Sequence, residues 1–411
     1  MTLLSGFCQR LDRLLHDARP EWVCLAVSGG GDSMALLHLA AGWARDRETR
    51  LAAVTVDHGL RPESADEAAL VARAAADHGI PHQTLTWTGW DGRGNLQHAA
   101  RTARRHLIED WAGKRGIGVV LTGHTSDDQA ETVLMRLARG SGVDGLAGIA
   151  EVEVHRLTWM RPLLGQSRAG LRDFLREQGV AWAEDPSNDD LRFDRIKARQ
   201  MMGHLAGLGL TVPRLTETAA HMRQARIVLD RAMRELAEQA VAQVQGDLLI
   251  ERAAFDAAPR ETRTRLLAGA LMWVSGNPYR PRYAPLSALA DTGSGTLHGC
   301  QVIDADGCLR VVREYQAVRD IRCETSALWD DRWRLIGPHH PGLHIGALGP
   351  DGARQCADRA GTGPPHLSLI ASPAIWQGTR LIAAPIAGFL NGWRAELAQS
   401  RADYVDSLKS H

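Results

Sequence analysis

Residues 28–33, Ser28-Gly29-Gly30-Gly31-Asp32-Ser33, sit between a short apolar run at 23–27 and the apolar, helix-favouring Met34-Ala35-Leu36-Leu37. The order strand, glycine turn, helix constrains this chain more than any other feature, because it begins an α/β unit. Consecutive glycines let backbone N–H groups close on an anion without Cβ interference, and the helix that follows adds its partial positive charge at the same point. The stretch is suited to phosphate. It has neither the lysine of a Walker A loop nor the wider glycine spacing of a dinucleotide-binding turn.

Around this loop the first half of the chain alternates β-like runs, at 24–27, 51–56, 83–87, 119–122 and 157–160, with helical runs at 33–45, 63–78, 95–113 and 127–138. That alternation predicts a doubly wound parallel sheet. Right-handed crossovers and a strand order 3-2-1-4-5 set the first strand beside the fourth. Residues 28–33 and whatever follows Thr122 then face each other across the crevice where such sheets bind ligands. Later come long helical patterns at 214–245 and 260–274, a hairpin at 296–313 around Asp304-Ala305-Asp306-Gly307, and a tail rich in Gly, Pro and Trp. Length and pattern together predict an α/β catalytic domain at 1–205, a mainly helical domain at 206–325 and a small α+β domain at 326–411.

Lys+Arg and Asp+Glu are 48 each, so any basic surface must come from local segregation. One such segment is 93–115, with six basic residues against two acids. Six cysteines without a CxxC pair or zinc-type spacing fit a reduced, cytoplasmic setting. Arg10, Asp12, Arg13 and Asp17 interrupt the N-terminal segment, which predicts an amphipathic helix rather than a signal peptide. No run approaches the length of a membrane span.

Beyond the fourth strand the chain reads Thr122-Gly123-His124-Thr125-Ser126-Asp127-Asp128-Gln129-Ala130-Glu131-Thr132. Helical spacing would set His124, Asp128 and Glu131 on one face near the start of a helix. An imidazole and two carboxylates beside a phosphate loop can bind a cationic amine, hold Mg²⁺ on the phosphates, or move a proton. Without the topology, the two aspartates would read as residues favoured by the helix dipole. Arg101, Arg104 and Arg105 read either as a solvated helix face or as a phosphate-contacting surface. Trp182, Trp273, Trp329, Trp333, Trp376 and Trp393 offer stacking faces for bases or fill cores.

Residues 28–33 resemble the SGGxDS loop of the N-type ATP pyrophosphatases, the PP-loop family. Further blocks follow: Val56-Asp57-His58-Gly59-Leu60-Arg61, Asn95 with Ala100-Arg101-Thr102-Ala103-Arg104, and Gly123 to Thr132. Then come Arg136-Leu137-Ala138-Arg139-Gly140-Ser141-Gly142 with Gly145-Leu146, Arg161-Pro162-Leu163-Leu164, and Trp182-Ala183-Glu184-Asp185-Pro186-Ser187-Asn188-Asp189 with Arg195 and Arg199. In order and spacing these resemble the tRNA(Ile)-lysidine synthetase family over about residues 23–200. Three positions depart from that family's pattern. Thr125 stands where a second histidine is usual, Ile196 where an asparagine follows the first late arginine, and Arg105 where an aromatic residue follows the Arg-x-x-Arg pair.

The resemblance implies an adenine nucleotide alpha hydrolase-like fold and a ligase that uses ATP and Mg²⁺. Such a ligase joins free L-lysine to C2 of the wobble cytidine of a CAU-anticodon isoleucine tRNA, through an adenylated cytidine, and releases AMP and pyrophosphate. It implies ATP contacts from Ser28, Gly29, Gly30, Gly31, Asp32, Ser33, Val56, His58 and Gly123, with Mg²⁺ reaching Asp32 by way of the phosphates. Catalytic roles would fall to His124, Asp128, Glu131, Arg195 and Arg199. Asp128 and Glu131 would hold the lysine ammonium, His124 would assist its deprotonation, and Arg195 or Arg199 would stabilise phosphate or position the tRNA. Weaker tRNA contacts would come from Arg101, Arg104, Arg105 and Arg139, and from the C-terminal domains of a monomer or homodimer. Competing readings are a tRNA thiolase, which needs well-placed cysteines, a ligase acting on small molecules, and an RNA-binding protein that keeps an ATP domain as scaffold.

Overall fold

The computed structural model describes residues 2–16, 18–59, 64–90, 96–184, 194–356, 364–398 and 403–408. Leu60, Arg61, Asn95 and the block at 185–189 lie outside these. The chain forms two compact units, Met1–Arg226 and Ile227–His411.

In the first unit, α1 (Leu3–Leu15), β1 (Trp22–Ala26), α2 (Gly31–Ala44), β2 (Arg50–Asp57), α3 (Ser64–Asp77), β3 (His82–Thr86), α4 (Leu96–Gly113) and β4 (Val119–Thr122) follow in turn. Then come α5 (Ser126–Ala138), α6 (Val143–Leu146), β5 (Val152–Val154), β6 (Thr158–Met160), α7 (Arg168–Glu177), α8 (Asp194–Leu205) and α9 (Val212–Ala240), within which the division between units falls. The sheet order is β3-β2-β1-β4-β6-β5. Its first five strands are parallel and stand in the predicted order, with β6 as the fifth. The antiparallel edge strand β5 was not foreseen, since three residues are too few to show a period.

The two-residue period of a strand decides how the core divides. Val23, Leu25, Leu51 and Ala53 turn to one face, where Leu11 of α1, Leu36 of α2 and Leu171 of α7 cover them. Cys24, Ala52, Val54 and Val120 turn to the other, against Ile108 and Ala112 of α4. Each Leu or Val so buried contributes about 1.5–3 kcal/mol. Helix α1 is amphipathic as predicted: Phe7, Leu11 and Leu15 recur every four residues and are buried, and the Thr2 hydroxyl caps its start by accepting from Ser5 N.

The helix predicted over 214–245 stops at Ala240, and Val241–Val244 is a strand. Gln245 and Gly246, at φ 49° and 91°, form the tight turn that hands it to the strand Asp247–Glu251. β-branched Val241 and Val244 fit a strand as well as a helix face, so periodicity alone could not end α9. In the second unit Val241–Val244, Asp247–Glu251, Cys308–Arg313, Cys300–Ala305 and Gly295–Leu297 form an antiparallel sheet in that order. The helices Arg260–Ser275 and Tyr283–Thr292 share its core. The predicted hairpin is there, turning on Asp306 and Gly307, both at positive φ. Smaller sheets follow, one of four strands and one of two. Trp273, Trp329, Trp333 and Trp393 are each no more than 5% exposed and fill cores, so they are not faces for stacking bases. Each has too much apolar area to leave in water, and the Trp329 indole also has its partner in the Ile321 carbonyl.

Candidate active site

The loop at 28–33 closes on itself through one side chain. Ser33 Oγ donates to the Gly30 carbonyl at 2.9 Å and accepts from Ser28 N at 3.1 Å. Gly29 has φ +91°, a left-handed conformation that a side chain would strain. Helix α2 then starts at Gly31 with Asp32 in its first turn. A Cβ on Gly123, just past β4, would lie 2.9 Å from the Asp32 carbonyl oxygen and 3.0 Å from Ser33 Cα. Glycine alone allows the exit of β4 to touch the start of α2. Ala183 N donates to the Gly29 carbonyl at 2.9 Å, and the Trp182 ring lies against Gly31, so the segment after α7 returns to the loop.

Between this loop and the exit of β4 lies a cavity of about 610 Å³, at the crevice predicted from strand order. Its far wall begins with a capping box. Thr125 is the N-cap of α5, and Asp128 Oδ2 accepts from both Thr125 N (2.7 Å) and Thr125 Oγ1 (2.9 Å). His124 therefore precedes the helix instead of sharing its face with Asp128 and Glu131, which corrects the spacing argument. Its Nδ1 meets Thr122 Oγ1 at 2.9 Å, and its ring still lines the cavity beside Asp128.

Glu131, 2% exposed, lies behind the lining and is held by three arginines. Arg195 Nε reaches its Oε2 at 2.8 Å, while Arg199 Nε and Arg168 Nη1 reach its Oε1 at 2.9 and 3.2 Å. Asp128 Oδ1 accepts from Arg168 Nη2 (3.0 Å) and Arg195 Nη2 (3.1 Å). Arg168 Nε completes the set by donating to Asp32 Oδ2 at 3.2 Å. One guanidinium thus joins the phosphate loop to both carboxylates of the far wall. Its backbone is fixed as well, because Arg168 N donates to Asp127 Oδ2 at 2.8 Å and so ties the start of α7 to that of α5.

These contacts set the charge states. Burial, then Arg161, Arg195 and Arg101, hold His124 well below its usual pKa against the pull of Asp128, so the imidazole is neutral at pH 7. Burial works to raise Asp128, but Arg195, Arg168 and the Thr125 N–H outweigh it and the net shift is downward. Asp32 goes the other way, raised by burial that Arg168 only partly offsets. Its Oδ1 is buried without a hydrogen-bond partner. Among the described residues no three His, Cys, Asp or Glu side chains are grouped to hold a metal. Asp32 Oδ1 suits an Mg²⁺ held chiefly by phosphates and water, which needs only one or two carboxylates.

Arg101 and Arg104 line the cavity with no acid partner among the described residues, and Arg105 lines it too, 3.6 Å from Glu153 and 2.9 Å from His155. Arg139 lies elsewhere, exposed at the end of α5 with Asp194 at 2.9 Å. Val56 and His58, at the exit of β2, also line the crevice. The His58 ring stands edge-on to Trp87, with its Nδ1 buried and unpartnered. Ser28, Gly30, Gly31, Asp32, Ser33 and Gly123 all line the cavity, whereas Gly29 shapes the loop from behind.

Three lining arginines were not singled out as site residues from the sequence: Arg161, Arg168 and Arg172. Arg161 stood only as part of a quoted block. It donates to the Ala150 carbonyl and to Glu153, whose carboxyl burial tends to raise but Arg161, His155 and Arg105 bring down to about 2. For Arg168 a signal existed. A cation in the first turn of a helix opposes the dipole, and such a local conflict marks a site.

Residues 3–205 match the PP-loop domain family. The tRNA(Ile)-lysidine synthase of Ruegeria pomeroyi is 48% identical over 397 residues, 95% of this chain and 95% of that one. That of Methylobacterium nodulans is 42% identical over 309 residues, 74% of this chain and 89% of the other. Among solved structures, the U34-tRNA thiolase NcsA from Methanococcus maripaludis aligns with TM-score 0.46 and 15% identity over 53% of this chain and 79% of that one, too low a likeness to bear on function. Identity of 48% carried over nearly the whole of both chains makes this protein a member of the tRNA(Ile)-lysidine synthase family.

Proposed function

We propose that this chain ligates L-lysine to C2 of the wobble cytidine of a CAU-anticodon isoleucine tRNA at the expense of ATP. The observation that supports it best is the single cavity in which the loop at 28–33 faces His124, Asp128 and a set of arginines. In the first step the cytidine O2 attacks the α-phosphorus, the bond to the bridging α–β oxygen breaks, and pyrophosphate leaves. The α2 N-terminus and the loop amides stabilise that departing charge. Mg²⁺ bound through Asp32 would add charge neutralisation on the phosphates. In the second step the ε-ammonium gives up a proton, its amine attacks C2, and the C2–O bond breaks to release AMP. His124 enters as a neutral imidazole with one nitrogen on Thr122 and accepts that proton once phosphate charge offsets the neighbouring arginines.

Arg101 and Arg104, cationic and unpaired among the described residues, are placed for phosphate of the nucleotide or tRNA. Residues 206–325 and 326–411 would hold the rest of the tRNA. No described helix is long and apolar enough to cross a membrane, and none of the six cysteines is in a disulfide, in keeping with work in the cytoplasm. No cysteine lines the cavity, which disfavours sulfur delivery. The test is transfer of radiolabelled lysine to that tRNA with ATP and Mg²⁺, against a transcript whose wobble cytidine is uridine. Label on the first RNA alone is expected. AMP formed with no label on either would overturn the choice of nucleophile.

A further inference from the structure

Every oxygen of Asp128 and Glu131 is engaged. Asp128 Oδ2 belongs to the Thr125 cap, and the other three oxygens accept from Arg168, Arg195 or Arg199. The three carboxylates Asp32, Asp128 and Glu131 and the three guanidiniums Arg168, Arg195 and Arg199 also balance in charge. An ammonium approaching Asp128 and Glu131 finds no oxygen on either that is free of a donor, and brings a charge that the balanced group does not compensate. Removal of the Arg168 guanidinium would leave one net negative charge and free one acceptor position on Asp128 Oδ1 and one on Glu131 Oε1, each oxygen keeping a second arginine. That is what one ammonium, with three N–H donors and no acceptor, requires.

Arg168 differs from the other two. It is 16% exposed, against 38% and 36% for Arg195 and Arg199, and it alone also touches the phosphate loop, through Asp32. A polyphosphate arriving at residues 28–33 therefore presents anionic oxygens beside its guanidinium, a stronger partner than carboxylates already shared with two other arginines.

We propose that Arg168 occupies the place of the amine substrate's ammonium, and that a nucleotide polyphosphate draws it away, so that the site accepts lysine only after nucleotide. Resting on the lysine-transfer reading above, this makes Arg168 a positioning residue that orders the substrates. One cation leaves the carboxylates as another arrives, and the group keeps its balance. By linkage the two ligands help each other equally: whatever factor nucleotide adds to lysine affinity, lysine adds to nucleotide affinity.

The experiment is calorimetric titration of lysine into the full chain with Mg²⁺, with and without α,β-methylene-ATP, for the natural protein and Arg168→Gln. In the natural protein the nucleotide analogue is expected to tighten lysine binding by a factor in the range of about 5–150. In Arg168→Gln lysine binds without nucleotide and the factor falls to about one, while KM for ATP rises in turnover. A residue needed only for folding would weaken both ligands together. Arg168→Met, which keeps the apolar stem without the charge, replaces the Gln variant if that one does not fold. A factor near one in the natural protein, or an unchanged factor in the variants, overturns the proposal. If label still enters the tRNA in that case, lysine transfer stands and only the ordering falls; absence of label and of lysine binding under every condition removes both.

Discussion

The wall at residues 28–33 is built on the backbone of six consecutive residues, whereas the wall opposite collects side chains from α4, α5, α7 and α8, spread over residues 101–199. The first depends on the absence of Cβ atoms and the second on charge pairing. The first can thus be broken by adding a methyl group and the second by removing a carboxylate. The aspartates of the two walls also have pKa values pushed in opposite directions, Asp32 up and Asp128 down.

The largest expected effect is on the far wall. Glu131→Ala leaves three arginines without their shared buried partner, and such a loss costs about 3–5 kcal/mol. The lower end applies, because Arg195 and Arg199 are more than a third exposed and can rehydrate. Urea unfolding measures it, and a loss below about 1 kcal/mol would show that charge pairing does not hold this wall. On the loop side Gly123→Ala drives a Cβ onto the backbone of Asp32 and Ser33. Overpacking of this kind costs about 1–3 kcal/mol, and pyrophosphate release falls with it as the loop shifts. Unchanged release kinetics would mean that the close approach is not needed for chemistry.

A sharper contrast pairs Asp32→Asn with Asp128→Asn. Because the folded pKa of Asp32 is raised, its ionised form costs stability above the unfolded value near 3.8, and the neutral isostere recovers that cost at pH 7. The expected gain is about 0.5–2 kcal/mol, disappearing below pH 3.8 and accompanied by loss of ATP cleavage. Asp128 has a lowered pKa, so its contribution is present above 3.8 and lost as pH falls through the folded value. Asp128→Asn therefore destabilises at pH 7. Melting curves of the two variants that move in the same direction would remove the contrast. The smallest effect is expected at Arg139, whose pair with Asp194 is exposed: Arg139→Ala leaves stability unchanged, and if the residue meets tRNA phosphate, it lowers the log-log salt slope of tRNA binding by about 1.

Much of the catalytic unit was legible because its signals are local. Short apolar runs alternating with helical ones marked the parallel strands, and the glycines of residues 28–33 marked the turn from β1 into α2. The side-chain wall was legible only in part. Asp128 and Glu131 were found by spacing, yet His124 was set on their helix although Thr125-x-x-Asp128 already spells an N-cap three residues before an acid. The four-residue strand that ends α9 and the buried tryptophans of the second unit were ambiguous for a related reason, since β-branched and aromatic residues serve equally in more than one setting.

The amino-acid order by itself determined the five parallel strands, their order and the glycine loop after the first of them, because each element depends on neighbours a few residues apart. Only the tertiary structure decided that Arg168 would stand between Asp32, Asp128 and Glu131. The strength of an ion pair depends on distance in space and on burial, and the Arg168 guanidinium comes within 3.2 Å of the carboxylates of Asp32, Asp128 and Glu131 only after three elements, α2, α5 and α7, have packed.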